Sequence, residues 1–471
     1  MKKTWPYLVL PILGTLFCLW YIEGAAYDIV YTDYIRLVNT YLPDVWNPDK
    51  FFVPDVLTRI PANYLGRIVN VMLFDYSTMF DMTLGVLGLG AAGFVVAAYC
   101  RNYSVTWSWS VLFMVLMFGL NKWEMLTNGT GWVHFVAIAC FYYHYLVLDR
   151  IWYGTEKRYD RVKLMVLPFV ITLGLAGPYC AIYSVVMLIS YGFCMAVRAK
   201  RTGKLDKRYF TYMACVLVPF LLYLWSNSYA VEDHAGMQEL PLLPTLLEAP
   251  GYFLHFLLKS FAGDLFGGEL LKEWLNGGRI TDQMIYAAGF LVLCMALLAL
   301  WMNFRFRLYK TTIFPLMLLV TGGLNHMLIL VSRWSFMDEN YGMSSRYALQ
   351  FQFLTLGVVM TAALCWVQIK RQAVGVIAVL CCTVLLGGSL VTTMRELRMM
   401  PHRKDYGRNI AVVALQYGEV SDDTLKNTFQ YRPGREDSGE KVRNALGILE
   451  EHGWNIFSSQ NVSEYELEDV R

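Results

Sequence analysis

Two carboxylates, Asp28 and Asp33, stand five residues apart just after the first apolar run of the chain. A carboxylate beyond the end of a membrane span can take a proton from an incoming hydroxyl nucleophile if its surroundings bring its pKa near working pH. Both belong to a stretch crowded with aromatics and charges, running from Tyr27 through Arg36, Asp44, Trp46, Asp49, Lys50, Asp55 and Arg59 to Arg67. Asp33 is the leading candidate for a general base, with Asp28 as its competitor. The plainer reading has these acids solvating an external loop or pairing with Arg36, Arg59 and Arg67. A further acid, Glu124, follows Trp123 in the loop from Asn121 to Thr130. It could serve as a second acid beside an aromatic face suited to a sugar ring, or simply flank an interfacial tryptophan anchor. A third polar loop is bounded by Arg333 and by Arg346-Tyr347, with Asp338 and Glu339 between them. Guanidinium forks match phosphate oxygens. The alternative is that these arginines pair with those acids or with lipid headgroups. His326 and Asn325, inside an apolar run, could line the same cavity, although a lone histidine there is more often a satisfied packing residue.

Composition decides what must hold these residues. The chain has 471 residues, 56% hydrophobic and 16% charged, against about a quarter charged in soluble domains. Apolar runs close to the ~20 residues that span a bilayer recur along it. The fold class expected is therefore all-α, a polytopic transmembrane bundle. Its basic residues sit in short loops and not on one face, which excludes a nucleic-acid binder. The ten cysteines all fall in or beside apolar runs, so there is neither a disulfide framework nor a Cys/His metal spacing. The residues singled out require no cofactor and include no metal site, though a divalent ion bridging Asp33 and a phosphate is compatible with them.

Eleven spans are expected, at 5–22, 80–100, 105–120, 131–148, 164–177, 179–197, 209–226, 283–303, 311–332, 347–367 and 373–394. Pro168, Gly174 and Gly177-Pro178 mark a turn or broken helix between the fifth and sixth. The apolar start could be a signal peptide ending near Gly24-Ala25-Ala26, but an uncleaved first helix is simpler in a multi-spanning chain. Lys and Arg concentrate in the loops 101–104, 149–163, 198–208, 304–310 and 368–372, which places those loops and the N-terminus in the cytoplasm. The segments 23–79, 227–282 and 333–346 and the tail then lie outside. Leucines and aromatics in 227–282 suggest amphipathic helices at the interface. The organisation expected is a membrane module over 1–394 and a small extracytoplasmic domain over 395–471.

This layout resembles the GT-C class of glycosyltransferases, and more closely a group of poorly characterised bacterial multi-pass proteins. The resemblance covers most of the chain in layout and rests on a few short elements. They are Thr58-Arg59-Ile60-Pro61 in an acidic-aromatic first loop, Trp123-Glu124-Met125-Leu126 before a helix, Ser345-Arg346-Tyr347 opening a late span, and Asn455-Ile456-Phe457 near the end. It departs from the clearest GT-C enzymes in offering two acids, Asp28 and Asp33, where they place one or two adjacent ones, and in its small tail. The resemblance implies an enzyme of the bacterial inner (plasma) membrane that takes a sugar from a polyprenyl-phosphate-linked donor. The acceptor would be a cell-envelope glycan outside the cytoplasm. Asp33 would be the base, Arg333 and Arg346 would stabilise the leaving phosphate, and Arg59 and Glu124 would position sugar or metal. Membrane lipid is a further implied partner. The alternatives are a transporter or flippase for lipid-linked saccharides, or an accessory subunit of polysaccharide assembly. The absence of internal repeats and the charges at span ends favour the enzyme over a transporter.

Overall fold

The computed structural model describes residues 5–51, 60–228, 240–369, 372–432 and 434–459. Among these residues it is helical throughout, with no strand. The chain opens with α1 (Trp5–Ala25), α2 (Asp33–Tyr41), α3 (Pro61–Phe74), α4 (Thr78–Asn102), α5 (Trp107–Met117), α6 (Trp123–Thr127) and α7 (Trp132–Tyr153). It continues through α8 (Asp160–Val170), α9 (Cys180–Thr202), α10 (Arg208–Asn227), α11 (Leu242–Glu248), α12 (Pro250–Leu265) and α13 (Gly268–Asn276). It ends with α14 (Asp282–Arg305), α15 (Phe314–Arg333), α16 (Ala348–Gln368), α17 (Gln372–Leu415), α18 (Asp422–Thr428) and α19 (Ser438–His452). Nine helical segments among the described residues, built on α1, α4, α7, α9, α10 and α14 to α17, are long and apolar enough to cross a membrane. These are the lengths and compositions of a multi-pass helical membrane protein.

Two expected spans do not reach spanning length. The run at 105–120 yields only α5, 11 residues, or ~16 Å at 1.5 Å per residue. The helix stops at Met117, before Gly119 and a 3-10 turn at Leu120–Lys122. The run at 164–177 yields α8 and a π-helical turn, Ile171–Leu175, and then Gly177-Pro178 ends it. Proline lacks the N–H that the ladder needs there.

Contacts show where these short helices lead. Gly85 and Gly88 of α4 pack on Trp132, Phe135 and Val136 at the start of α7. At the other end of both helices, the Tyr103 hydroxyl donates to Asp149. The two helices therefore run in the same direction, and the connection carrying α5 passes from one end of the bundle to the other. Tyr7 ties its start to α1 by a 2.8 Å hydrogen bond to the Val105 carbonyl. Its end meets α17 where the Leu120 N–H donates to Thr393 Oγ1 at 3.2 Å. The connection carrying α8 does the same. Arg150 and Asp160 form a bidentate pair at one end, at 2.9 and 2.8 Å, and Tyr179 packs against His134 at the other.

At the end rich in Lys and Arg, the fully buried Asp149 accepts from Thr312 Oγ1 (2.8 Å) and from the backbone N–H groups of Ile313 (2.7 Å) and Phe314 (3.2 Å). It caps α15 from a neighbouring helix. In the middle of the bundle α15 and α16 lie backbone to backbone. A Cβ on Gly322 would sit 2.3 Å from the Leu354 nitrogen, so only glycine permits this approach.

The opposite end carries the longer loops, and α17 organises it. This helix has 44 residues, ~66 Å by its rise, about twice the ~30 Å hydrocarbon thickness. It does not stop at 394, where the sequence reading ends the last span. It continues past Pro401 and crosses Tyr27 at Gly407. Beyond it, α18 and α19 fold back on α2. Ile29, Val30, Tyr34, Ile35 and Val38 share one core with Ile410, Ala414, Leu425, Phe429, Leu446 and Ile456. The tail and the first loop are thus one packed unit. Asn455 ties it together. Its side-chain oxygen accepts from the Val30 N–H (3.1 Å), and its amide donates to Asp28 (3.1 Å) and the Tyr76 carbonyl (3.2 Å).

Candidate functional site

At this loop-rich end α6 meets the opening of α16. Glu124 lies in the first turn of α6, and Ser345 and Arg346 lie in the 3-10 turn before α16. Arg346 Nε donates to Glu124 Oε1, and Ser345 Oγ donates to Glu124 Oε2 at 2.8 Å. Two of the short sequence elements therefore build one constellation. Arg346 remains 43% exposed beside a Glu124 that is 22% exposed, so the pair is partly open to its surroundings.

Asp33 is the first residue of α2. It is half-buried and accepts no side-chain hydrogen bond among the described residues. Its charge acts on Arg346 without contact. Tyr31, two residues earlier, faces the same charges. Burial pushes its hydroxyl up to about 12, with Glu124 adding to the shift and Arg346 opposing it.

Asp28, the competing acid, is engaged on both oxygens. It accepts from Ser77 Oγ (2.7 Å), Thr78 N–H (2.7 Å), Thr78 Oγ1 (2.8 Å) and Asn455. These bonds make it the outside cap of α4. The physical reason for the difference between the two acids is position. Asp28 faces the orphan N–H groups of a long helix, whereas Asp33 starts its own helix and points its lone pairs elsewhere.

Arg333 donates through Nε to the Tyr347 hydroxyl at 2.9 Å and lies 5.8 Å from the Phe336 ring. The two acids that could have neutralised it are used elsewhere. Asp338 accepts from the Asn340 N–H at 2.9 Å. Glu339 is held by His255 (3.0 Å) and Tyr286 (2.8 Å) and lies 3.4 Å from Lys259. His326 has other partners. It is fully buried, hydrogen-bonded to Ser260 (2.6 Å) and Asp264 (3.1 Å) and stacked on Phe351 at 3.9 Å. Its polar needs are met inside the bundle. The Arg403 guanidinium covers one face of Trp123, 3.1 Å from its ring centroid. Arg59 falls outside the described residues.

Several partners were not apparent in the sequence. Ser345 also reaches Glu269 at 3.1 Å, and Glu269 in turn accepts from Trp123 Nε1 at 3.1 Å. Behind Trp123, Arg403 and Arg395 clamp the buried Glu396, and Arg395 continues to Glu273 at 3.0 Å. The acid at 396, just past an apolar run and between arginines, is the signal that could have drawn notice. Among the described residues no group of three or more His, Cys, Asp and Glu could hold a metal ion. No protein-family model, curated protein or solved structure matches the chain.

Proposed function

We propose that this chain is a GT-C-type membrane glycosyltransferase. It moves a sugar from a polyprenyl-phosphate carrier to a cell-envelope glycan outside the cytoplasm. One observation carries the reading: Asp33, which accepts no side-chain hydrogen bond among the described residues, lies within electrostatic range of Arg346, a guanidinium held by Glu124. In the reaction the acceptor hydroxyl gives its proton to Asp33 as its oxygen bonds to the anomeric carbon. The bond from that carbon to the phosphate oxygen breaks, and its electron pair leaves on the phosphate. Arg346 uses Nε on Glu124 and keeps its terminal nitrogens for phosphate oxygens. Arg333, with no carboxylate in salt-bridge contact among the described residues, adds a second positive group. Preorganised charge helps most where charge develops.

The orientation belongs to the same proposal. The Lys/Arg-rich end of the bundle is cytoplasmic by the charge rule. In this reading the connections carrying α5 and α8, which each join opposite ends, cross as well and add two crossings to the nine long segments. The N-terminus is then cytoplasmic in a bacterial plasma membrane. Asp33, Glu124, Arg333, Arg346 and the tail lie together outside.

Titration of polyprenyl phosphate into the detergent-purified protein tests the carrier half of this reading. Arg346→Ala and Arg333→Ala should each weaken binding about tenfold or more, the value of a charge-assisted hydrogen bond. Equal binding by wild type and both variants would reduce the arginines to headgroup anchors and remove the reading.

A further inference from the structure

We propose that the polar floor beneath Arg346 is a binding site for the uncharged, hydroxyl-rich group of a glycosyl phosphate, formed by Gln350, Tyr179 and His134. Gln350 follows Arg346 by four residues, one helical turn deeper on the same face. It is 2% exposed, and its amide oxygen and nitrogen make no close hydrogen bond among the described residues; only the Tyr179 hydroxyl lies within looser reach of the amide. Burying an amide unpaired is costly, and such a group in a folded protein needs a reason. Tyr179 stands beside it, delivered there by the break at Gly177-Pro178. Its hydroxyl reaches toward the Gln350 amide and lies within electrostatic range of Tyr347, Arg333 and Arg346. His134 meets the Tyr179 ring edge-on at 4.6 Å, and its buried Nδ1 also lacks a partner.

A phenol thus stands beside an imidazole and an amide and within electrostatic range of two guanidiniums. Hydroxyl groups, each able to donate once and accept twice, match that mixed set. A bare anion would leave the amide oxygen unanswered, and an apolar group would answer none of the three. A sugar ring joined to a phosphate satisfies both layers, with hydroxyls on the floor and phosphate on Arg346 and Arg333. The inference rests on the carrier reading above and adds the residues that hold the sugar.

The test compares bare polyprenyl phosphate with the same lipid carrying glucose, mannose, galactose or arabinose, each bound to the full chain in detergent. At least one glycosylated form should bind about tenfold more tightly than the bare lipid. Gln350→Leu and Tyr179→Phe should each erase most of that preference and leave bare-lipid binding unchanged. Without ligand, Gln350→Leu should also raise the Tm, because it removes a stranded amide. If the bare lipid binds and no glycosylated form binds better, this site is refuted and the carrier reading stands. If the bare lipid does not bind, the carrier reading falls and this one falls with it. A lowered Tm in Gln350→Leu would assign Gln350 to the fold instead.

Discussion

At the scale of single residues, the division of labour among charges is the main result. Arg346 is too exposed for its pairing with Glu124 to add much stability, since exposed ion pairs contribute about 0–1 kcal/mol. The pairing orients the guanidinium. Asp28 works the other way, with four hydrogen bonds and no freedom. Asp28→Ala should destabilise the protein by about 2–4 kcal/mol, read as a lower denaturation midpoint, because it strands the start of α4. Lys122 offers a pH test. It is fully buried, with its ammonium on the carbonyls of Met117 (2.9 Å) and Gly119 (2.8 Å). Burial lowers its pKa to about 8, against about 10.4 in an unfolded chain. Between those values the unfolded state binds more protons, so this residue makes stability rise as pH increases through that window. Subtracting the Tm profile of Lys122→Met from that of wild type should leave a rise between about pH 8 and 10.4; a flat difference would contradict the assignment.

At the scale of elements, breaks and extensions matter more than the regular spans. The stop after α5 puts Lys122, Trp123 and Glu124 at the loop-rich end, and the break before α9 delivers Tyr179 to the same place. The second interruption was legible, since Pro168 and Gly177-Pro178 announce it; the stop at Gly119 falls inside a run read as a full span. The length of α17 was not legible. Hydropathy falls after 394, which reads as a span ending, whereas helix propensity carries on through Arg395, Glu396 and Leu397 into the tail. The same blind spot hid Arg403 and Glu396, which act on Trp123 only because that helix does not stop. Gly407→Leu should separate the tail from the first loop, since a side chain there meets Tyr27 at 2.7 Å from its first carbon. Overpacking of this kind costs about 1–3 kcal/mol. Limited proteolysis should then cut at 416–437 in the variant well before wild type.

At the scale of the whole molecule, one end gathers Lys and Arg in short loops and the other gathers the longer loops and the candidate residues. Glu156 lies in the basic loop and is 40% exposed, and Asp423 lies in the tail and is 85% exposed. In intact cells an impermeant maleimide should label Asp423→Cys and spare Glu156→Cys; the reverse pattern would invert the proposed orientation. The arrangement of Glu124 beside Arg346 was only half legible. Each stood out by type and context, but their meeting depends on α6 packing against the turn before α16, 222 residues apart in sequence, and no local pattern encodes it. Seeing that Asp28 is engaged needed the same long-range information, because Ser77, Thr78 and Asn455 hold it.

The central claim is that Asp33 takes the acceptor's proton. The most direct measurement compares envelope-glycan sugar content in cells carrying wild type, Asp33→Asn or no protein, with the variant's membrane level and Tm recorded alongside. Asp33→Asn at wild-type abundance and Tm, with glycan like that of cells lacking the protein, is the predicted result. Wild-type glycan from that same folded variant would contradict it.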